Sequence, residues 1–167
     1  MSATVEIDEA NGAGETLSHN VANSNMGNSD SKEIVALTYP IAAGENSYEK
    51  FQKLHVSDMG GSSKIDNIRV WREGALGGAA VHVANLKTTA YAGAPTYHQP
   101  VKTDSSLAVN TVPTTEPATA NLGIGGSLTG ALTAAGSSDY LCHQIQTDPS
   151  DTAGSSSTLH IAFDEVA

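Results

Sequence analysis

A chain of 167 residues is long enough for one domain of ordinary size. Its apolar fraction is 39%, and the many Gly, Ser and Thr residues suit short strands and turns better than long helices. The formal charge is −10, and all eight Lys and Arg residues lie within residues 31–102. Because a nucleic-acid binder needs gathered cations to displace phosphate counterions, we expect no nucleic-acid partner.

Cys142 is the only cysteine, so no disulfide can form within the chain, and we expect a small buried hydrophobe there. No run of 18 apolar residues occurs, which predicts no membrane span. The first residues also lack the cationic start and apolar run of a secretion signal. We therefore expect synthesis and folding in a reducing cytoplasm.

Residues 1–31 are rich in Asn, Ser and Gly, and a segment of this kind cannot offset its ordering entropy alone. We predict an extended N-terminal arm that is either flexible or laid against a partner. Its few apolar anchors are the expected partner contacts, namely Val5, Ile7, Leu17, Val21 and Met26.

Residues 32–39 predict a strand that Pro40 ends, with Ile34, Ala36 and Thr38 on one face and Val35, Leu37 and Tyr39 on the other. Two further strand-like runs lie within residues 47–72, on either side of the turn at residues 60–63. Side chains in a strand alternate between faces, so each run offers one face to a core. The two Gly residues of the turn allow positive φ, which fits either a hairpin or a short crossing loop.

Residues 79–86 predict another strand. Residues 87–117 hold four of the six prolines, which indicates surface connections and edge strands, with one short strand at 107–109. Tyr91 and Tyr97 lie in this stretch and are expected to be exposed contact residues. Residues 121–136 predict a loop followed by a short strand.

Residues 139–147 and 158–166 predict two strong strands, which we expect to form an antiparallel pair joined by a polar loop. About eight short strands without a convincing helix indicate two packed antiparallel sheets. The predicted architecture is an all-β, antiparallel β-sandwich of jelly-roll or Ig-like type over residues 32–167, preceded by the arm.

No catalytic constellation is visible in the sequence. Gly-x-Ser-x-Gly does not occur, and the six histidines lack the short spacings of metal ligands. A sandwich could bring four of them together at a shared zinc site, namely His55, His82, His143 and His160. Histidine pairs across neighbouring strands are the expected arrangement. We predict neither enzymatic activity nor a metal or cofactor.

Trp71 lies at the end of a predicted strand, between Arg69 and Arg72. It is either part of the core or an interface anchor, since aromatic residues beside arginine are common in protein contacts. We therefore include Trp71, with Tyr91 and Tyr97, among the candidate partner contacts.

Several short stretches together carry a resemblance. They are Tyr39-Pro40, Ser47-Tyr48-Glu49-Lys50, Leu54-His55-Val56, Ile68-Arg69-Val70-Trp71, residues 136–140 and residues 159–165. This combination resembles small virion structural proteins of tailed bacteriophages. The similar parts cover residues 32–72 and 136–166 and include no catalytic residue.

The resemblance implies a capsid decoration (cement) protein on the virion surface, or a tail-associated sandwich. Such a protein would bind the major capsid protein through its arm and sheet edges, as a homo-oligomer for which a trimer is one option. The alternative is a carbohydrate-binding sandwich, in which Trp71, Tyr91 and Tyr97 would stack on sugars.

Overall fold

The computed structural model describes residues 2–89, 91–152 and 154–167, and its regular elements are all β-strands. In chain order they are β1 (Thr4–Asn11), β2 (Thr16–Ser18), β3 (Lys50–Asp58), β4 (Lys64–Glu73), β5 (Val81–Ala84), β6 (Asn110–Thr111), β7 (Ala131–Leu132), β8 (Gly136–Ser137), β9 (Leu141–Gln146) and β10 (Thr158–Val166). The part of the chain that the structure describes has no helix long and apolar enough to cross a membrane. The predicted all-β class is confirmed.

The strands form two antiparallel sheets that pack face to face as a β-sandwich. The large sheet has the order β2-β1-β3-β9-β5-β6, with β8 also paired to β3, and the small sheet has the order β10-β4-β7. Their facing sides share one apolar core. Its main members are Leu54, Val56 and Leu141 from the large sheet and Ile65, Ile68 and Val70 from the small sheet.

A second apolar cluster covers the outer face of the large sheet. Phe51 is its centre, and Ala10, Val83, Ala108 and Cys142 are buried around it. The rings of Tyr97 and Tyr140 meet Phe51 edge-on. Cys142 is therefore a buried apolar residue, as predicted, and its burial raises the pKa of its thiol.

The turn at residues 60–63 is a crossing loop between sheets. It joins β3 of the large sheet to β4 of the small sheet, which do not pair with each other. Gly60 has a φ of 58° at the bend, in the left-handed region that glycine adopts without steric cost. Of the two predicted arrangements, the structure has the crossing loop.

The expected pairing of the last two strands is wrong. β9 lies between β3 and β5 in the large sheet, whereas β10 pairs with β4 in the small sheet. Five of the six β9 residues are buried, on both faces. A strand buried on both faces belongs in the middle of a sheet, whereas no residue of β10 is fully buried.

The N-terminal segment is not a separate arm in this structure. β1 pairs with β3 along its length, with Val5 opposite Val56 and Ile7 opposite Leu54. Three consecutive β1 residues, Asp8, Glu9 and Ala10, are buried. The segment that was expected to be flexible or to lie on a partner instead supplies a strand to the large sheet.

The predicted strand at residues 32–39 is wrong. The segment forms turns, in which Thr38 and Tyr39 donate backbone hydrogen bonds to the carbonyl of Val35. Ile34 alone is buried, whereas Val35 and Leu37 are exposed. The apolar run at residues 34–37 does not form a strand, and no described strand pairs with this segment.

The proline-rich region forms long connections, as predicted. Its one short strand is β6 at Asn110–Thr111, directly after the predicted 107–109. Residues from the long connection between β6 and β7 complete the free side of β4, because β7 pairs only with the first part of β4. The amide of Asn121 accepts a hydrogen bond from Val70 N at 2.7 Å and donates one to Val70 O at 2.8 Å. One side chain thus replaces a neighbouring strand.

This contact generates a stability prediction. Asn121→Ala leaves the buried amide and carbonyl of Val70 unpaired on that side, so it should lower the free energy of unfolding by about 2–4 kcal/mol. Asn28 has an exposed side chain, and Asn28→Ala should change stability by less than about 0.5 kcal/mol. Urea unfolding of both variants measures the difference; equal losses would contradict this role for Asn121.

Candidate functional site: an apolar cleft beside a free sheet edge

A cleft of about 1200 Å³ lies at the open margin of the sandwich. The three-stranded sheet does not cover the whole inner face of the large sheet. The cleft lies where that cover is missing, and its walls come from β1, β10 and the loops around residues 21–43, 76–80 and 151–158. Its apolar lining includes Ile7, Val21, Met26, Leu37, Leu159 and Ile161.

β10 forms one wall of this cleft and is an edge strand. It pairs with β4 on one side, and no strand among the described residues pairs with its other side. Leu159 and Ile161 face the cleft. A long edge with unpaired backbone groups can accept a strand from another chain.

Three apolar side chains project from the loop beside the cleft. Leu37 is 94% exposed, Val35 58% and Tyr39 41%. Leu37 also lines the cleft, so this exposed group adjoins the apolar wall. Apolar groups that adjoin one another at a surface commonly mark a contact with another molecule.

A chain of buried polar side chains begins on the inner face of the large sheet. Lys50 donates a hydrogen bond to Glu9 at 2.5 Å in an ion pair whose two side chains are almost fully buried. Ser24 donates to the other oxygen of Glu9, and Gln52 donates through Nε2 to Ser24. The carboxylate is acceptor-only, so it fixes the direction of these hydrogen bonds and turns Gln52 Oε1 away from Ser24.

The same chain continues into a histidine pair that lines the cleft. Gln52 Oε1 lies 3.1 Å from His143 Nε2, so His143 must donate there, and His143 Nδ1 is left as an acceptor. His82 Nε2 lies 2.8 Å from His143 Nδ1 and therefore donates to it. His82 Nδ1 carries the remaining lone pair and has no hydrogen-bond partner.

Both histidines are held in the neutral form. Burial, helped by the positive charge of Arg72, lowers the pKa of His82 to about 4. Burial also lowers the pKa of His143 well below its usual range, and His82 and Lys50 add to the effect. A neutral pair is what the direction of hydrogen bonding requires.

Several polar groups in and beside the cleft are committed to structural contacts. His82 and His143 bond each other, and Glu9 is neutralised by Lys50. Asp151, which also lines the cleft, accepts backbone hydrogen bonds from Asp148 at 2.7 Å and Ala80 at 3.2 Å. The surface left for a partner is more apolar than polar among the described residues, and it also includes His82 Nδ1 and the serine side chains at residues 155–157.

The eight predicted contact residues do not form one surface. Ile7, Val21 and Met26 line the cleft, whereas Val5 packs on the main core. Leu17 is exposed on β2, which is an edge strand of the large sheet, and it does not line the cleft.

The three predicted aromatic contacts are occupied within the protein. Tyr91 is only 8% exposed and receives a hydrogen bond from Asn85, so its predicted exposure is wrong. Tyr97 is half-buried and donates to the Gly12 carbonyl. Trp71 is on the outer face of the small sheet, where its ring stacks on the His160 ring with 5.1 Å between the ring centroids. They do not form a flat platform for a sugar.

The histidines that could have shared a zinc site do not gather. His82 meets His143, while His160 stacks on Trp71 in the other sheet. His55 faces the opposite side of the large sheet, where it contacts His19.

The exposure of Val35, Leu37 and Tyr39 was not predicted from the sequence, because residues 32–39 were interpreted as a strand.

Comparison with protein families, with curated proteins and with solved structures finds no match to this chain.

The histidine pair generates a pH prediction. The folded pKa of His82 lies below the unfolded value, so unfolding takes up a proton and stability falls as pH drops from about 6.5 to about 4. The contribution of His82 is up to about 3 kcal/mol over that window. Urea unfolding at several pH values should show the loss, and His82→Gln should reduce the slope. An unchanged slope in the variant would contradict this origin.

Proposed function

We propose that this protein is a structural component of a virion, a decoration (cement) protein that binds the capsid surface of a tailed bacteriophage. The observation that carries the proposal is the free edge of β10 beside an apolar cleft. The resemblance of residues 32–72 and 136–166 to phage virion proteins supplies the partner, the major capsid protein.

Strand addition is the binding mode that this geometry favours. A partner strand could hydrogen-bond to the outer edge of β10 and place alternate side chains into the cleft, against Leu159 and Ile161. Main-chain hydrogen bonds would supply affinity, and the shape of the cleft would supply selectivity. Val35, Leu37 and Tyr39 would extend the contact onto the surface of the partner.

The charge distribution supports a protein partner and not DNA. The net charge is −10, and several cations are already paired with acids of the same chain. Arg69 binds Glu116 and Asp164, and Lys50 binds Glu9. A protein with this surface would stay apart from packaged DNA.

A capsid lattice presents the same site many times, so weak contacts can add up. A homo-oligomer, such as a trimer, would engage several capsid subunits at once, and its avidity would exceed the affinity of one cleft. Deletion of residues 1–31 would not be a clean test of binding, because it would remove β1 from the large sheet.

A point variant on the exposed apolar loop tests the proposal. Leu37→Asp should leave folding unchanged, since the side chain is 94% exposed, and should weaken binding by tenfold or more because a carboxylate would be desolvated at the contact. Binding would be measured by co-sedimentation with capsids of the encoding phage assembled without this protein.

Val109→Asp is the matched control, because Val109 is also largely exposed but does not line the cleft. It should bind capsids as the unmodified chain does. Absence of capsid binding by the unmodified chain, or equal weakening by both variants, would overturn the proposal.

A further inference from the structure

A second group of titratable side chains lies on the opposite face of the large sheet from the cleft. Glu6 and Asp8 are two residues apart on β1, so they share a face. Strand pairing places His55 of β3 opposite Glu6. β2 pairs with the end of β1, and His19 follows β2 directly. The three strands thereby bring two imidazoles and two carboxylates together.

The distances within this group suit a single metal ion. Asp8 Oδ2 is 2.8 Å from His19 Nδ1 and 3.9 Å from His55 Nδ1, and the three ligand atoms all lie within 4.8 Å of one another. Zinc bonds of about 2.0–2.1 Å in a tetrahedron hold neighbouring ligand atoms about 3.3 Å apart. The two distances to Asp8 lie on either side of that value, and the two histidine nitrogens, within 4.8 Å of each other, would have to approach by up to about 1.5 Å.

Contacts around the group hold these ligands in place. Asp8 is 1% exposed, and its Oδ1 accepts a hydrogen bond from Asn20 N at 3.2 Å, which leaves Oδ2 directed at the two histidines. His55 Nε2 is 3.8 Å from Glu6 Oε1. That distance is longer than a hydrogen bond, so Glu6 would have to move closer to become the outer carboxylate contact that is usual for a zinc-binding histidine.

We propose that Asp8, His19 and His55 bind one divalent transition-metal ion, for which zinc is the best match. Two imidazoles and a carboxylate are ligands that zinc accepts, and the two carboxylates give the group the negative charge that attracts a dication. The His19 side chain is 62% exposed, so water can reach the ion and fill the fourth position. On binding, His55 Nδ1 exchanges its 2.8 Å contact with Ser137 Oγ for the metal.

The bound ion would cross-link β1, the segment after β2, and β3. It would fasten the β1–β2 pair to the middle of the large sheet. The site is on the other face from the cleft, so zinc binding and capsid binding can be tested independently.

The test is a titration of zinc chloride into the full chain after treatment with a chelator and dialysis. Calorimetry should show one ion per chain, and the melting temperature should rise with zinc because the ion binds only the folded state. Cobalt(II) should give the visible absorption of a tetrahedral complex. His19→Gln changes an exposed side chain, so the variant should fold normally. It should lose zinc affinity by at least the roughly 10–100-fold that loss of an outer contact to a metal ligand costs.

His160→Gln is the matched control, because His160 is also beside a carboxylate, Glu73 at 3.6 Å, but has no second histidine within reach of an ion. It should bind zinc as the unmodified chain does. The proposal is overturned if the unmodified chain shows no saturable binding at one equivalent, or if His160→Gln weakens binding as much as His19→Gln.

Discussion

The buried ion pair between Glu9 and Lys50 is the contact on which the first fifty residues depend. Two buried charges are tolerated only when each has close partners, because the loss of hydration is large. Lys50 also donates to the Ser31 carbonyl at 3.0 Å, and Asn11 and Ser24 donate to Glu9. The pair therefore joins β1, β3 and the loop between them. A segment with the composition of a flexible arm is thereby made part of the fold.

The same pair divides the inner face of the large sheet into two halves. One half is apolar and is covered by the small sheet through Leu54, Val56 and Val70. The other half carries the hydrogen-bonded polar side chains from Lys50 to His82. Apolar side chains of a facing sheet could not form hydrogen bonds with these groups. Loops cover this half incompletely, and the cleft and the free edge of β10 result. A sandwich with an open margin is suited to completion by another chain.

Much of the fold follows from period-two alternation in the sequence, since β3, β9 and β10 lie within predicted runs and β4 extends one residue past its run. Alternation identifies a strand but not its neighbours, so β9 and β10 were wrongly paired with each other. The partner of Glu9 is 41 residues further along the chain, and no local pattern indicates such a contact. Of the site, Ile7, Val21 and Met26 could be predicted as contacts, whereas the exposure of Leu37 depends on the turn that surrounds it.

The central claim is that a partner strand completes the sandwich at β10. Amide hydrogen exchange of the protein, free and bound to capsids, tests it most directly, because strand addition protects main-chain amides that were open to solvent. We expect slower exchange in residues 158–166 and 34–41 on binding, with residues 107–111 unchanged. Binding that leaves residues 158–166 as exchangeable as in the free protein would contradict the claim.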